Sequence, residues 1–195
     1  CLIQVASDIG SFAIDPLSDK LDLSPFISLL TNKKVLKVFH SARQDIEIFF
    51  NLSSIIPNPL FDTQIAAMVC GFGDSVGYDT LVRQILGRRI DKSSRLSDWS
   101  RRPLSSDQIK YALADVTHLR EVYLELNTRL ISSNRQLWLR EELGILMDPN
   151  TYRNLPEEAW RRIKSRPSSR RYQAMLKELA TWRESEAQRR NVPRN

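Results

Sequence analysis

Tyr111 and Asp115 stand four residues apart in the run Tyr111-Ala-Leu-Ala-Asp115, inside a segment of strongly helical composition. On an α-helix such residues lie one turn apart on a common face, so a phenol and a carboxylate project into the same space. A pair of this kind can serve a metal-bound water. The same spacing also describes an ordinary helix pair, and by itself it does not separate the two. Two further carboxylates stand near element ends. Asp62 precedes Thr63 and the helical run from Gln64, which suits an N-cap. Asp45 lies one turn into the helix that follows His40, where a negative charge is favourable in its own right. His40 has no second histidine near it, and a hydrogen-bonded role at a strand end is the expectation for it.

Those residues need elements to hold them. Cys1 to Ala6 reads as a buried strand, and Phe12 to Ile14 as a second one joined to it through a turn at Asp8 to Ser11, giving a hairpin. Ser24-Pro25 opens a helix, because proline is tolerated where the first-turn N–H has no helical partner. Val35 to Phe39 is another strand, Ala42 to Phe50 a helix, Gln64 to Cys70 a helix, and Thr80 to Leu86 a helix stopped by Gly87. Arg88 to Pro103 is polar, basic and without a period, and connections of that length are either functional or mobile. Ser105 and Gln108 then form a capping box, with Leu104 and Ile109 as a hydrophobic staple. From there one helix is expected to about Leu130, with Ala112, Val116, Leu119, Tyr123, Leu126 and Leu130 as its apolar stripe and Tyr111 and Asp115 along a margin. Helices from about Arg135 to Leu146, Pro156 to Lys164 and Arg170 to Arg190 complete the chain. Hairpin strands followed by alternating helices and strands imply an α/β domain with a mixed sheet and flanking helices.

The 195 residues carry a net charge of +6, placed unevenly. Residues 1–152 hold 17 Lys+Arg against 18 Asp+Glu, whereas residues 153–195 hold 12 against 5. A basic excess confined to one segment suits a polyanion such as nucleic acid, and it is also what solvated basic helices would show. No apolar run reaches the ~20 residues that span a bilayer, and no membrane partner is expected. Cys1 and Cys70 have no metal-ligand spacing, and a single possible bridge in a chain of this size points to a reducing, cytoplasmic setting. Both ends read as cut: Cys1 enters a strand directly, and Asn195 follows a helix that has just stopped.

Several segments together resemble one family. Lys37-Val-Phe-His40, Ser41-Ala-Arg-Gln-Asp45, Phe61-Asp-Thr-Gln64, Asp98-Trp99, Arg102-Pro-Leu-Ser105 and Tyr111-Ala-Leu-Ala-Asp115, in this order and spacing, are similar to ribonuclease D. That family comprises 3′-to-5′ exoribonucleases of the four-carboxylate exonuclease group, in its tyrosine-bearing branch. The resemblance covers nearly the whole chain. It implies a ribonuclease-H-like exonuclease fold over residues 1–133, a helical connector over 134–166, and the beginning of an all-α, HRDC-type nucleic-acid-binding domain over 167–195. It also implies two divalent ions, Mg²⁺ or Mn²⁺, per site. Hard ions of this kind take oxygen ligands, and a pair of them can stabilise the attacking and leaving oxygens of an in-line phosphoryl displacement.

By this resemblance Asp45 and Asp115 are metal ligands and Tyr111 is the catalytic residue that orients the attacking water. A phenol with a reference pKa of about 10 is a poor general base at neutral pH, which favours orientation over proton abstraction. The family's other two ligands, an aspartate and a glutamate one residue apart on the first strand, would precede Cys1. A fragment without them is expected to bind metal poorly and to be nearly inactive. Lys92, Arg95, Trp99 and Arg102 are candidates to line the path of a single strand, where cations follow phosphates and an aromatic ring can stack on a base. Trp99 packed against the sheet is the alternative. The expected substrates are RNA 3′ ends, in structured RNA and tRNA precursors. A nuclease-like module that only binds RNA and a DNA proofreading exonuclease are the competing functions.

Overall fold

Asp8 and Ile9 turn β1 (Ile3–Ser7) back onto β2 (Gly10–Ile14), and the two pair antiparallel from Ile3↔Ile14 to Ser7↔Gly10. Gly10 sits at φ 147°, a conformation L side chains rarely adopt, so the turn depends on glycine. This is the expected hairpin. The computed structural model describes residues 2–18, 21–91, 93–165, 169–190 and 192.

After α1 (Ser24–Thr31), β3 (Lys37–Phe39) runs parallel to β4 (Leu60–Asp62), with α2 (Arg43–Ser53) in the crossover between them. Parallel neighbours need such a crossover, since a tight turn only reverses the chain. β3 starts at Lys37 rather than Val35, because Val35 N–H is taken by the Asn32 carbonyl in a turn. Lys37 is itself a clasp: its covered ammonium donates to the carbonyls of Asn32, Val35 and Asn58 at 2.8, 2.7 and 2.6 Å. The antiparallel and parallel pairs form two separate two-stranded ladders among the described residues. Helices flank both, as the α/β expectation required.

α3 (Thr63–Val69) and α4 (Tyr78–Leu86) follow, and α4 ends at Gly87 in the left-handed conformation that caps it. The long connection to the next helix has no helix or strand among its described residues. The one helix expected from Ser105 to about Leu130 is two: α5 (Ser106–Thr117) and α6 (Leu119–Ser132), which meet at His118. There His118 has φ −97° and ψ −2°, and Thr117 Oγ1 bonds back to the Leu113 carbonyl at 2.6 Å. Back-bonding of that kind loosens and bends a helix. The break also rephases the stripe: Val122 is fully buried, while Tyr123 is half-buried and meets Phe61 edge-on at 4.8 Å. α5 packs on the hairpin, and α6 packs on β3, α3 and α4.

The chain divides into two compact units, Cys1–Thr151 and Tyr152–Asn195. α7 (Gln136–Met147) belongs to the first unit: it packs against α3 and β4, and Arg135 Nη1 bonds the Val69 carbonyl at 2.8 Å. In the second unit a 3₁₀ helix, Pro156–Arg162, packs along α8 (Arg170–Arg190). It takes the place of the α-helix expected to Lys164. The linker residues Arg166 to Ser168 lie outside the described residues. No helix of the described residues is long and apolar enough to cross a membrane.

Asp62 is the junction of the first unit. Its carboxylate caps α3 by accepting from Gln64 and Ile65 N–H, and it also accepts from Ser41 N–H at 3.1 Å and Ala42 N–H at 2.7 Å. It is 1% exposed. The cap expected at this position is therefore present, and it also fixes the β3–α2 turn. At about 1 kcal/mol net per hydrogen bond, Asp62→Ala should lower the unfolding free energy by about 3 kcal/mol or more in a urea titration. Asp62→Asn keeps one acceptor oxygen and should lose less.

Candidate active site

The capping box places the site helix. Ser105 Oγ accepts from Gln108 N–H at 3.2 Å, and Gln108 Oε1 accepts from Ser105 N–H at 2.9 Å, so the first turn of α5 is closed on itself. Gln108, Tyr111 and Asp115 then follow at helical spacing on one face. Tyr111 and Asp115, both half-buried, line a cleft of about 210 Å³ with Tyr78, Asp79, Ile90 and Arg95. Three of the residues singled out from the sequence, Tyr111, Asp115 and Arg95, are thus brought to one cavity.

Asp45 sits in the first turn of α2, on the other side of the Asp62 junction. Solvent reaches it, yet surrounding protein pushes its carboxyl above the usual carboxylate range, with the negative charge of Asp62 adding to that effect. The charge on Asp45 is therefore costly in the folded chain as it stands.

His40 takes the structural part. Its Nδ1 lies 2.9 Å from Thr63 Oγ1, which itself donates to the Phe39 carbonyl at 2.9 Å. Since the threonine hydroxyl has one proton and spends it on Phe39, Nδ1 of the histidine must carry the other hydrogen. Burial pushes the His40 pKa down, against opposing pulls from Asp62, the Val76 backbone and Asp79, which keeps the ring neutral. Tyr78, which the sequence reading did not single out, stacks at a tilt 5.5 Å from His40 and reaches the Ala114 carbonyl at 3.4 Å. Burial, then the charges of Asp115 and Glu121, push its phenol pKa up, against a backbone bond at His118, so Tyr78 stays a neutral donor. No spacing rule connects residue 78 to residue 115, and only the fold does.

The other strand-path candidates separate. Trp99, half-buried, meets Tyr111 of α5 with ring centroids 5.8 Å apart and planes at 48°. Arg102 forks onto Asp15 at the end of β2 and donates to the carbonyls of Trp99 and Arg101, which ties its guanidinium to the loop. Lys92 lies outside the described residues.

The donor chemistry of Asp45 and Asp115 suits a hard divalent ion. Among the described residues, however, no group of three or more His, Cys, Asp or Glu side chains is gathered as a metal centre. Asp115 lines the cleft, and Asp45 is not among its lining residues.

Comparison with known proteins fits this arrangement. A family model described as 3′-5′ exonuclease matches residues 1–131. Ribonuclease D of Nitrobacter hamburgensis is 51% identical over 195 residues, covering all of this chain and 51% of that protein. The crystal structure of Escherichia coli RNase D, an exoribonuclease involved in structured RNA processing, matches with a TM-score of 0.90 at 33% identity, over all of this chain and 52% of the other. Brucella melitensis NrnC with bound Mg²⁺ shares the fold at a TM-score of 0.69 and 24% identity, over 87% of this chain and 81% of the other. The chain spans about half the length of the curated relatives it matches. With a cleft where a phenol and a carboxylate one helical turn apart face an arginine, and with relatives this similar along its whole length, the chain belongs to the ribonuclease D family of 3′-5′ exonucleases.

Proposed function

We propose that the protein is a 3′-to-5′ exoribonuclease that removes nucleotides hydrolytically from RNA 3′ ends using divalent cations, Mg²⁺ or Mn²⁺, two to a complete site. The observation that carries this reading is the shared cleft of Tyr111, Asp115 and Arg95 in a chain of this family. Asp45 and Asp115 would hold the metal, which when bound supplies an activated water and neutralises charge developing on the leaving oxygen. The Tyr111 hydroxyl orients that water toward phosphorus. Arg95, a cation on the cleft wall, holds a phosphate of the terminal nucleotides. Structured RNA 3′ ends, including tRNA precursors, are the proposed substrates, in keeping with what is said of the E. coli relative. The basic second unit, with α8 as the start of an HRDC-type domain, adds attraction for the polyanion.

The raised pKa of Asp45 fits a ligand that waits for a cation. A carboxyl whose folded pKa lies above its unfolded value contributes stability below the unfolded pKa and loses it as pH rises through the folded one. Without metal, Asp45→Asn should thus unfold at a slightly higher urea concentration than the parent at pH 7, and the gap should close at a pH below the ordinary carboxylate range.

The activity test uses the full-length protein and a 5′-labelled RNA with a single-stranded 3′ tail in Mg²⁺. Asp115→Ala should cut the rate by roughly 100-fold or more, and Tyr111→Phe by about 10- to 100-fold, the scale expected for a lost ligand and a misplaced nucleophile. Chelation should abolish shortening. Digestion by both variants at the parent's rate would overturn the assignment, and equal or faster digestion of DNA would redirect it to proofreading chemistry.

A further inference from the structure

A capping box works with either Glu or Gln at its third position, because only the side-chain oxygen is used. Here the residue is Gln108, and its amide nitrogen makes two further bonds, to Ser97 Oγ at 3.1 Å and to the Asp98 carbonyl at 3.0 Å. A glutamate at 108 could not make them: it has no protons to give and would set negative charge against a carbonyl. Gln108 is itself buried. The loop it grips continues directly into Trp99, whose ring leans on Tyr111, one turn further along the same helix face. On the other side of Trp99, Arg102 Nη1 bonds the Trp99 carbonyl at 3.0 Å and the Arg101 carbonyl at 2.8 Å, while Nη2 and Nε hold Asp15. The backbone of Trp99 is therefore anchored before and after the indole, once to α5 and once to β2.

We propose that Gln108 and Trp99 are positioning residues for Tyr111: the glutamine fixes the 97–99 loop to the helix that carries the tyrosine, and the indole then sets where the phenol ring rests. This deepens the exonuclease reading and rests on the role it gives Tyr111. It also gives Trp99 a part other than base stacking, a tilted contact with the tyrosine ring at 5.8 Å. A tyrosine that orients water needs its hydroxyl placed finely, and an aromatic wall held by hydrogen bonds supplies that without adding charge to the cleft.

The test uses full-length protein with Gln108→Glu, Trp99→Ala and Trp99→Phe, each alone and combined with Tyr111→Phe. Gln108→Glu and Trp99→Ala should lower kcat about 5- to 20-fold, on the scale of a small misplacement of a reacting group, with KM for RNA unchanged within about twofold. Trp99→Phe should recover most of the loss. In the Tyr111→Phe background the same changes should have no further effect. Losses in KM, or losses that add fully to that of Tyr111→Phe, overturn the proposal in favour of direct RNA contact by Trp99. A parent-like rate for Tyr111→Phe alone defeats the catalytic reading instead. A second measurement then decides the positioning question without activity. In protein labelled with 3-fluorotyrosine, the ¹⁹F line that vanishes in Tyr111→Phe should shift in both Gln108→Glu and Trp99→Ala. An unmoved line in folded Gln108→Glu overturns the proposal, and the retained capping box should keep that variant folded, with a urea midpoint lowered by the two lost loop bonds.

Discussion

Everything in the first unit is arranged about one buried carboxylate. Asp62 gathers backbone N–H groups from two places, the start of α3 and the β3–α2 turn, so the end of β4 is held to the end of β3 by more than their short ladder. A three-residue parallel pair is too brief to set the direction of α2 by itself. The aspartate does this by meeting obligatory backbone donors that would otherwise be buried without partners. Its charge then has a second effect, adding to the burial that raises the pKa of Asp45. The group that fixes the geometry thus adds to the cost of charge on Asp45, a cost that a bound cation would relieve.

The elements that local chemistry dictates were legible in the sequence. The capping box at Ser105 and Gln108, the Asp62 cap, the Gly87 stop and the hairpin about Gly10 each rest on a few neighbouring residues, and each is present. Tyr111 and Asp115 could be placed on one face for the same reason. What could not be read was whatever depends on contacts distant in sequence. The Arg102–Asp15 fork spans 87 positions and turns a residue that looked like a phosphate contact into a loop anchor. The break at His118 was hidden because the apolar period continues across it, and the bend is shown by a Thr117 hydroxyl returning to its own helix. Tyr78 and Asp79 join the cleft only because α4 is folded next to α5 and α6, and no periodicity announces that.

The second unit separates two properties that a charge count merges. Several of its cations are engaged at short range: Arg189 and Arg190 with Glu186, Arg161 with Glu158, and Lys177 over the Trp160 ring at 4.7 Å. Exposed pairs of this sort add little stability. Pairing does not cancel the net excess, however, and the field that attracts a polyanion follows that excess. α8 turns its small residues Ala180 and Ala187, with Glu184, inward, whereas Tyr172, Met175, Leu179 and Trp182 are exposed. These four lie along one side of the helix, and that is not the face this unit uses for its own packing.

Along α5, residues 108, 111 and 115 divide the work by the kind of interaction each can make. As a proposed metal ligand, Asp115 would need its oxygens placed to within a few tenths of an ångström. Tyr111 depends on where one hydroxyl sits. A neutral amide is the side chain that can close the helix start and grip a loop together, because it accepts and donates from one rigid plane. Placing that amide one turn before the tyrosine lets the most stable part of the helix, its capped first turn, set the position of the phenol. Asp115 lies nearer the end of α5, where the Thr117 hydroxyl bonds back to the Leu113 carbonyl.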